Sequence, residues 1–212
     1  MTMSNEIKPP ALPGFASINR YWDRENDIIA AKLLPGEYYV TNENEMITTV
    51  LGSCIAACIR DSVLGIGGMN HFMLPETSTE QAKNAGYSLL GSATRYGNYA
   101  MEHLINTILA SGGKRKNLEV KVFGGGKIIP SLSDVGLRNI GFVLDYIDTE
   151  ALNLLAQDLG DIYPRKVNFY PKTGKVRMKK IKNLHNDTIA LRENNYRSQI
   201  KNAAVEGEIE LF

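Results

Sequence analysis

Cysteine and histidine are scarce in this chain: 212 residues hold two cysteines and three histidines. The four-residue spacing of Cys54 and Cys58 is not by itself a zinc-site signature, and with His71 they lack an evident fourth ligand. Charge of one sign is also lacking. A formal net charge of +1 gives no strong field toward nucleic acid or an anionic membrane, and neither nucleic-acid binding nor membrane insertion is expected. No apolar run reaches the roughly 18 residues of a membrane-spanning helix. The opening "MTMSNEIKPPALPGF" lacks the basic-then-apolar layout of a secretion signal. The sequence therefore reads as cytoplasmic, where two cysteines are free thiols. "FGGGK" lacks the spacing of a phosphate-binding P-loop, so no nucleotide, and no other cofactor or metal, is expected.

What is present is ordinary for a folded domain: 43% hydrophobic and 22% charged residues. Residues 1–27, rich in Pro, Asn and Ser, read as an N-terminal arm, with Tyr21 and Trp22 as points where it docks. Residues 28–182 read as one α+β domain. "EYYVT", "EMITTVLGSC" and "LEVKVF" are strand candidates. "ATRYGNYAMEHLINTILASGG" repeats apolar residues at helical spacing and stops at Gly112-Gly113, and "SDVGLRNIGFVLDYI" is a second helix. "RKVNFYPKTGKVRMKKI" is a hairpin around Pro-Lys-Thr-Gly. Its basic residues are a solvated face. Residues 183–212 read as a helix and a tail.

The chemistry concentrates in Thr49–Glu76, "TVLGSCIAACIRDSVLGIGGMNHFMLPE". Two apolar strands flank "DSVL". With Ser62-Val63 as a two-residue loop, Asp61 pairs with Leu64, and Cys54 falls opposite His71, with Cβ atoms about 4.5–5.5 Å apart. A bulge at Gly67-Gly68 would shift that register. A free thiol ionises near a pKa of about 8.5, and an adjacent imidazolium favours the nucleophilic thiolate. The imidazole can then protonate a leaving amine. Gly52-Ser53 keeps side chains small and leaves backbone N–H groups for an oxyanion. Gly52, Ser53 and Asn70 are the expected oxyanion and substrate loop. Thr48 and Thr49 are the local candidates to orient the histidine, and Thr48 shares strand parity with Cys54. Cys58, opposite Gly67, is read as packing, and His103 as a surface residue of the helix.

The motifs "TTVLGSCIAACIRD", "GIGGMNHFMLP", "RYGNYAMEHLIN", "KVFGGG" and "GLRNIGFVL", spanning roughly residues 36–182, resemble the CheD chemoreceptor glutamine deamidases. The resemblance implies a three-layer α/β/β sandwich related to the catalytic domains of deamidating bacterial toxins. It implies a catalytic Cys54, His71 and Thr48, hydrolysis of glutamine side chains in methyl-accepting chemotaxis receptors through a cysteine thioester, and in some species a CheC-type phosphatase as partner. The family often carries a Gly-Gly-x-x-Gly-Arg-Lys stretch where this chain has "LGDIYPRKV", with Asp161 and Pro164 in place of glycines.

The same thiol–imidazole pair also suits a cysteine protease or a receptor methylesterase, since all pass through a tetrahedral oxyanion. A regulator that binds a receptor or a CheC-type phosphatase, its cysteine idle, is the reading from a different class.

Overall fold

Short runs of β-branched, aromatic and alanine residues, punctuated by glycine and proline, form ten strands among the described residues. The computed structural model describes residues 8–75, 87–128, 133–182 and 187–202. The strands make two five-stranded mixed sheets joined by three α-helices, an α+β architecture. No helix among the described residues is long and apolar enough to cross a membrane.

The first sheet runs β1 (Asn19–Asp23), β2 (Ile28–Lys32), β4 (Glu45–Leu51), β9 (Arg165–Tyr170) and β10 (Lys175–Lys180). The second runs β3 (Tyr38–Thr41), β6 (Gly67–Asn70), β5 (Ile55–Asp61), β7 (Leu118–Gly124) and β8 (Asn153–Leu159). Helices α1 (Tyr87–Ala110) and α2 (Ser133–Thr149) pack on the second sheet, as their apolar stripes require. Met101, Leu104 and Ile108 of α1 join Ile47 and Val167 of the first sheet and Ile59 and Val120 of the second in one buried cluster.

The segment read as an arm is partly woven in. Its residues Asn19–Asp23 are an edge strand on β2, and Phe15 is buried edge-on against Tyr38 and Tyr39. The Pro-Lys-Thr-Gly turn joins β9 to β10, with Gly174 at φ 72°. Strand β8 has no counterpart in the sequence reading. It is largely exposed and pairs in parallel with β7 across α2. Asp161, where the family resemblance leads one to expect glycine, sits at φ 69°, and Oδ1 of its side chain accepts from the N–H of Ile162 while Oδ2 accepts from Lys180. Asp tolerates this left-handed backbone better than most residues do. The C-terminal tail beyond Asn202 lies outside the described residues; before it, helix α3 spans Asp187–Asn202.

The hairpin that carries the cysteines differs from the two-residue turn expected at Ser62-Val63. Oδ1 of Asp61 accepts from the N–H groups of Val63 and Leu64, Gly65 turns at φ 71°, and Asp61 N–H bonds to the Ile66 carbonyl. The loop thus has four residues, 62–65. Ile59 pairs with Gly68 and Ile55 with Phe72, a slip of two along the partner. Cys58 opposes Met69 rather than Gly67.

Candidate functional site

Side chains alternate across a strand with period two, so a slip of two leaves every face unchanged. Cys54 and His71 are diagonal rather than directly opposed, but they remain on one face. Both are buried, and the Cys54 thiol, a ring nitrogen of His71 and a carboxylate oxygen of Glu193 all lie within 4.8 Å of one another.

Residues Gly52–Cys54 carry the chain from β4 in the first sheet to β5 in the second. Their carbonyls are tied on one side. Gly125 N–H donates to the Cys54 carbonyl at 2.9 Å, Gly126 N–H to that of Gly52 at 2.7 Å, and Asn139 Nδ2 to that of Ser53 at 2.8 Å. Gly124 must be bare, because a Cβ there would meet the Cys54 carbonyl oxygen at 2.0 Å. The glycine run after β7 is thus the wall behind the cysteine loop.

With their carbonyls tied, the three N–H groups converge on one acceptor, the carboxylate of Glu193 on α3. Gly52 donates at 2.8 Å, Ser53 at 2.9 Å and Cys54 at 3.2 Å, and the Ser53 hydroxyl adds a bond of 2.7 Å. A Cβ on Gly52 would lie 2.2 Å from Ile128 Cδ1 and under 3 Å from both Glu193 oxygens, so a side chain there would displace the carboxylate from its cradle. Successive N–H groups that converge in this way form an anion-binding nest. Gly52 and Ser53, expected to offer anion-binding donors, both donate here.

His71 is fixed by its backbone and by one hydroxyl. Its N–H donates to the Glu37 carbonyl, and its own carbonyl accepts from Gly36. Thr49 Oγ1 lies 2.8 Å from His71 Nδ1 and 2.9 Å from the Leu33 carbonyl. A hydroxyl has one proton, and a carbonyl can only accept, so that proton goes to Leu33 and the hydroxyl accepts from Nδ1–H. The tautomer follows: Nδ1 carries the proton and Nε2 holds a lone pair. Nε2 is buried with no hydrogen-bond partner among the described residues.

Two expected site residues are placed differently. Among the described residues the Thr48 hydroxyl donates to Asn168 Oδ1 at 2.7 Å on the neighbouring strand β9, and the hydrogen bond to His71 belongs to Thr49. Parity with Cys54 does not hold because the chain changes sheets at Gly52–Cys54. Asn70 is not part of the anion loop. Its Oδ1 accepts from Ala57 N–H and its Nδ2 donates to the Ala100 carbonyl, tying β6 to β5 and α1. His103 is half-buried beside Tyr38 and Tyr99 rather than free on the surface, and His185 lies outside the described residues.

Burial, reinforced by the Glu193 charge and hydrogen bond, raises the Cys54 thiol well above its ordinary pKa. Burial lowers His71 to about 4, although Glu193 pulls the other way. Both shifts favour a neutral thiol and a neutral imidazole over the thiolate–imidazolium pair expected from the sequence. Cys58 is raised by burial too, so neither cysteine is an exposed thiolate. A cavity of about 270 Å³ opens beside the pair, bordered by Thr48, Thr49, His71, Ile189 and Glu193 and rimmed by Lys32 and Lys166. Cys54, His71 and Glu193 together could hold a metal ion, though both carboxylate oxygens of Glu193 already accept N–H bonds.

Two residues of this site were missed in the sequence. Asn139, fully buried on α2, bridges the two halves: it donates to Ser53 and accepts from Leu74 N–H at 2.9 Å. A polar residue within the apolar stripe of "GLRNIGFVL" was the available signal. Glu193 left no signal, since it stands in a polar helix about 140 residues from its partners.

The family model described as "CheD chemotactic sensory transduction" matches residues 73–180. A "Probable chemoreceptor glutamine deamidase CheD" from Halorhodospira halophila is 53% identical over 204 residues, covering 96% of this chain and 94% of that protein. A relative of the same printed name from Hydrogenovibrio crunogenus is 52% identical, covering 90% of this chain and 97% of its own length. "Probable chemoreceptor glutamine deamidase CheD 1" from Shewanella oneidensis is 49% identical over 97% of this chain and 98% of its own. With a thiol and an imidazole beside an anion cradle, and relatives at this level along nearly the whole length, the chain belongs to the CheD family.

Proposed function

We propose that this chain hydrolyses selected glutamine side chains of methyl-accepting chemotaxis receptors to glutamate. The observation that carries the reading is a carboxylate held by three backbone N–H groups beside a cysteine thiol and an imidazole lone pair. The relatives' printed names supply the substrate class.

In this mechanism Cys54 is the nucleophile and His71 Nε2 the base. The thiol proton passes to Nε2 as sulfur bonds to the carboxamide carbon. The N–H groups of Gly52, Ser53 and Cys54 hold the oxyanion; one such donor is worth about 10²–10³ in rate. The C–N bond breaks as Nε2–H protonates the departing ammonia. Water then adds to the thioester, His71 takes its proton, and the C–S bond breaks to give glutamate and restore the thiol. Thr49 orients the ring, a role first expected of Thr48. A neutral imidazole at neutral pH is the form that can accept the thiol proton.

Receptors present these glutamines on their cytoplasmic side, so the cytoplasm is the proposed location. A CheC-type phosphatase is the proposed regulator by family likeness, and the layering proposed for the two sheets and helices is an α/β/β sandwich akin to the toxin deamidases. The test is incubation with receptor cytoplasmic fragments, reading the mass increase of NH2-to-OH exchange at glutamines. No increase, or an equal increase with Cys54→Ala, overturns the proposal. Release of methanol from methylated fragments would instead assign methylesterase activity to the same cradle.

A further inference from the structure

A buried carboxylate is costly unless it is matched by donors or cations. Glu193 is 3% exposed, and its partners are the three loop N–H groups and the Ser53 hydroxyl. No salt bridge to it exists among the described residues. Helix α3 is built to deliver it. Ile189 is buried one turn before, the Tyr196 hydroxyl bonds that of Tyr96 one turn after, and Ile200 packs on the core beyond. Positions 189, 193, 196 and 200 recur at the spacing of a single helical face. Leu191, on another face, is 60% exposed. The body is shaped to receive this face: Gly36, at φ 88°, leaves room for the Tyr196 ring, which a Cβ would approach to 2.7 Å.

The chemistry of the cradle gives the contact its meaning. The proposed reaction ends with a glutamate carboxylate in that nest, beside Cys54 and His71. Glu193 is a glutamate carboxylate in that nest. We propose that α3 is an intramolecular product analogue: its Glu193 fills the nest that a substrate glutamine would enter, and turnover requires α3 to leave. This inference rests on the deamidase reading for its product logic, but the occlusion itself does not depend on which substrate follows.

The test uses the full chain with Glu193→Ala and Glu193→Gln. Two rates are read: alkylation of Cys54 by iodoacetamide, located by peptide mass, and conversion of a receptor cytoplasmic fragment. If α3 is released by Glu193→Ala, Cys54 should alkylate at least about tenfold faster, as the accessible fraction rises. Cys58 should stay protected, and fragment conversion should rise in parallel. Wild-type rates of both reactions in Glu193→Ala overturn the inference. Receptor conversion at equal rates by both proteins leaves the deamidase reading standing and removes this one. Faster Cys54 labelling with no conversion by either protein does the reverse.

Should Cys58 also become reactive, the Ala variant has lost its fold, and the nearly isosteric Glu193→Gln decides. Its carboxamide would sit where the substrate's does. Cys54 attack and hydrolysis would exchange its NH2 for OH and release ammonia, converting residue 193 back to glutamate. That conversion, absent when Cys54→Ala is added, supports the inference. A carboxamide that stays intact at position 193, in a Glu193→Gln protein that converts receptor fragments, overturns it.

Discussion

His71 donates Nδ1–H to the Thr49 hydroxyl, 2.8 Å away, and that hydroxyl donates in turn to the Leu33 carbonyl. The chain of two bonds selects the tautomer whose Nε2 lone pair is free. It uses no charge, so the ring is oriented without the pKa rise that a carboxylate partner brings.

Thr49→Ala should lower kcat by roughly tenfold to a hundredfold, part of the 10²–10⁴ that a positioned acid–base group supplies. Its pH profile should shift as the tautomer becomes mixed. Thr48→Ala removes a hydroxyl that is held by Asn168 and borders the cavity. It should act mainly through KM, with the pH profile unchanged. The reverse pattern in steady-state kinetics on a receptor fragment would assign the orienting role to Thr48.

Asn139 ties the nucleophile loop to the segment that follows the histidine. Asn139→Ala leaves the Ser53 carbonyl and Leu74 N–H buried and unpaired, at a cost of about 2–3 kcal/mol. Urea unfolding measures this directly. A loss below that of an ordinary surface substitution would show the bridge to be dispensable. Asn139→Asp keeps the acceptor for Leu74 and loses the donor to Ser53, so it should disturb the cysteine loop selectively.

Acid should weaken the fold through His71. In the unfolded chain its imidazole protonates near the ordinary 6.5, but in the folded chain only near about 4. The unfolded state therefore binds more protons between these values. The contribution to stability is complete above about 6.5 and is lost progressively as pH falls toward 4. Urea midpoints at pH 7 and pH 5 should fall further for wild type than for His71→Gln. Equal falls would mean that the buried imidazole is not the group responsible.

Asp61 sets the four-residue turn through the N–H groups of Val63 and Leu64, and also accepts from Lys114 N–H and Asn117. Asp61→Ala should cost about 2–3 kcal/mol, the scale of hydrogen bonds to a charged group. Thermal denaturation checks this, and an unchanged midpoint would place control of the turn in Gly65.

The Cys54–His71 pair was legible despite a misjudged turn. The error in register was two residues, and face identity has period two, so the pairing survived as a diagonal. Thr49 was not legible for the complementary reason. Counting parity through Gly52–Cys54 assumes one continuous strand, and there the chain leaves one sheet for the other. The α1 stripe and the β9–β10 hairpin rest on local periodicity and turn chemistry, and both appear as expected. Strand β8 does not alternate cleanly because most of it is exposed. Glu193 shows the limit of local reading: nothing in a polar helix marks which carboxylate a distant loop will hold.

Glu193 and the nest it fills are parts of one covalent chain. Their encounter is therefore independent of how much protein is present, and behaves like a ligand held at an effective concentration on the order of millimolar. An outside helix must compete with that fixed value. A dilute, isolated peptide competes poorly, whereas many glutamines crowded on one surface can match it. Occupancy of the nest then reports the local density of competing side chains rather than their total amount in solution.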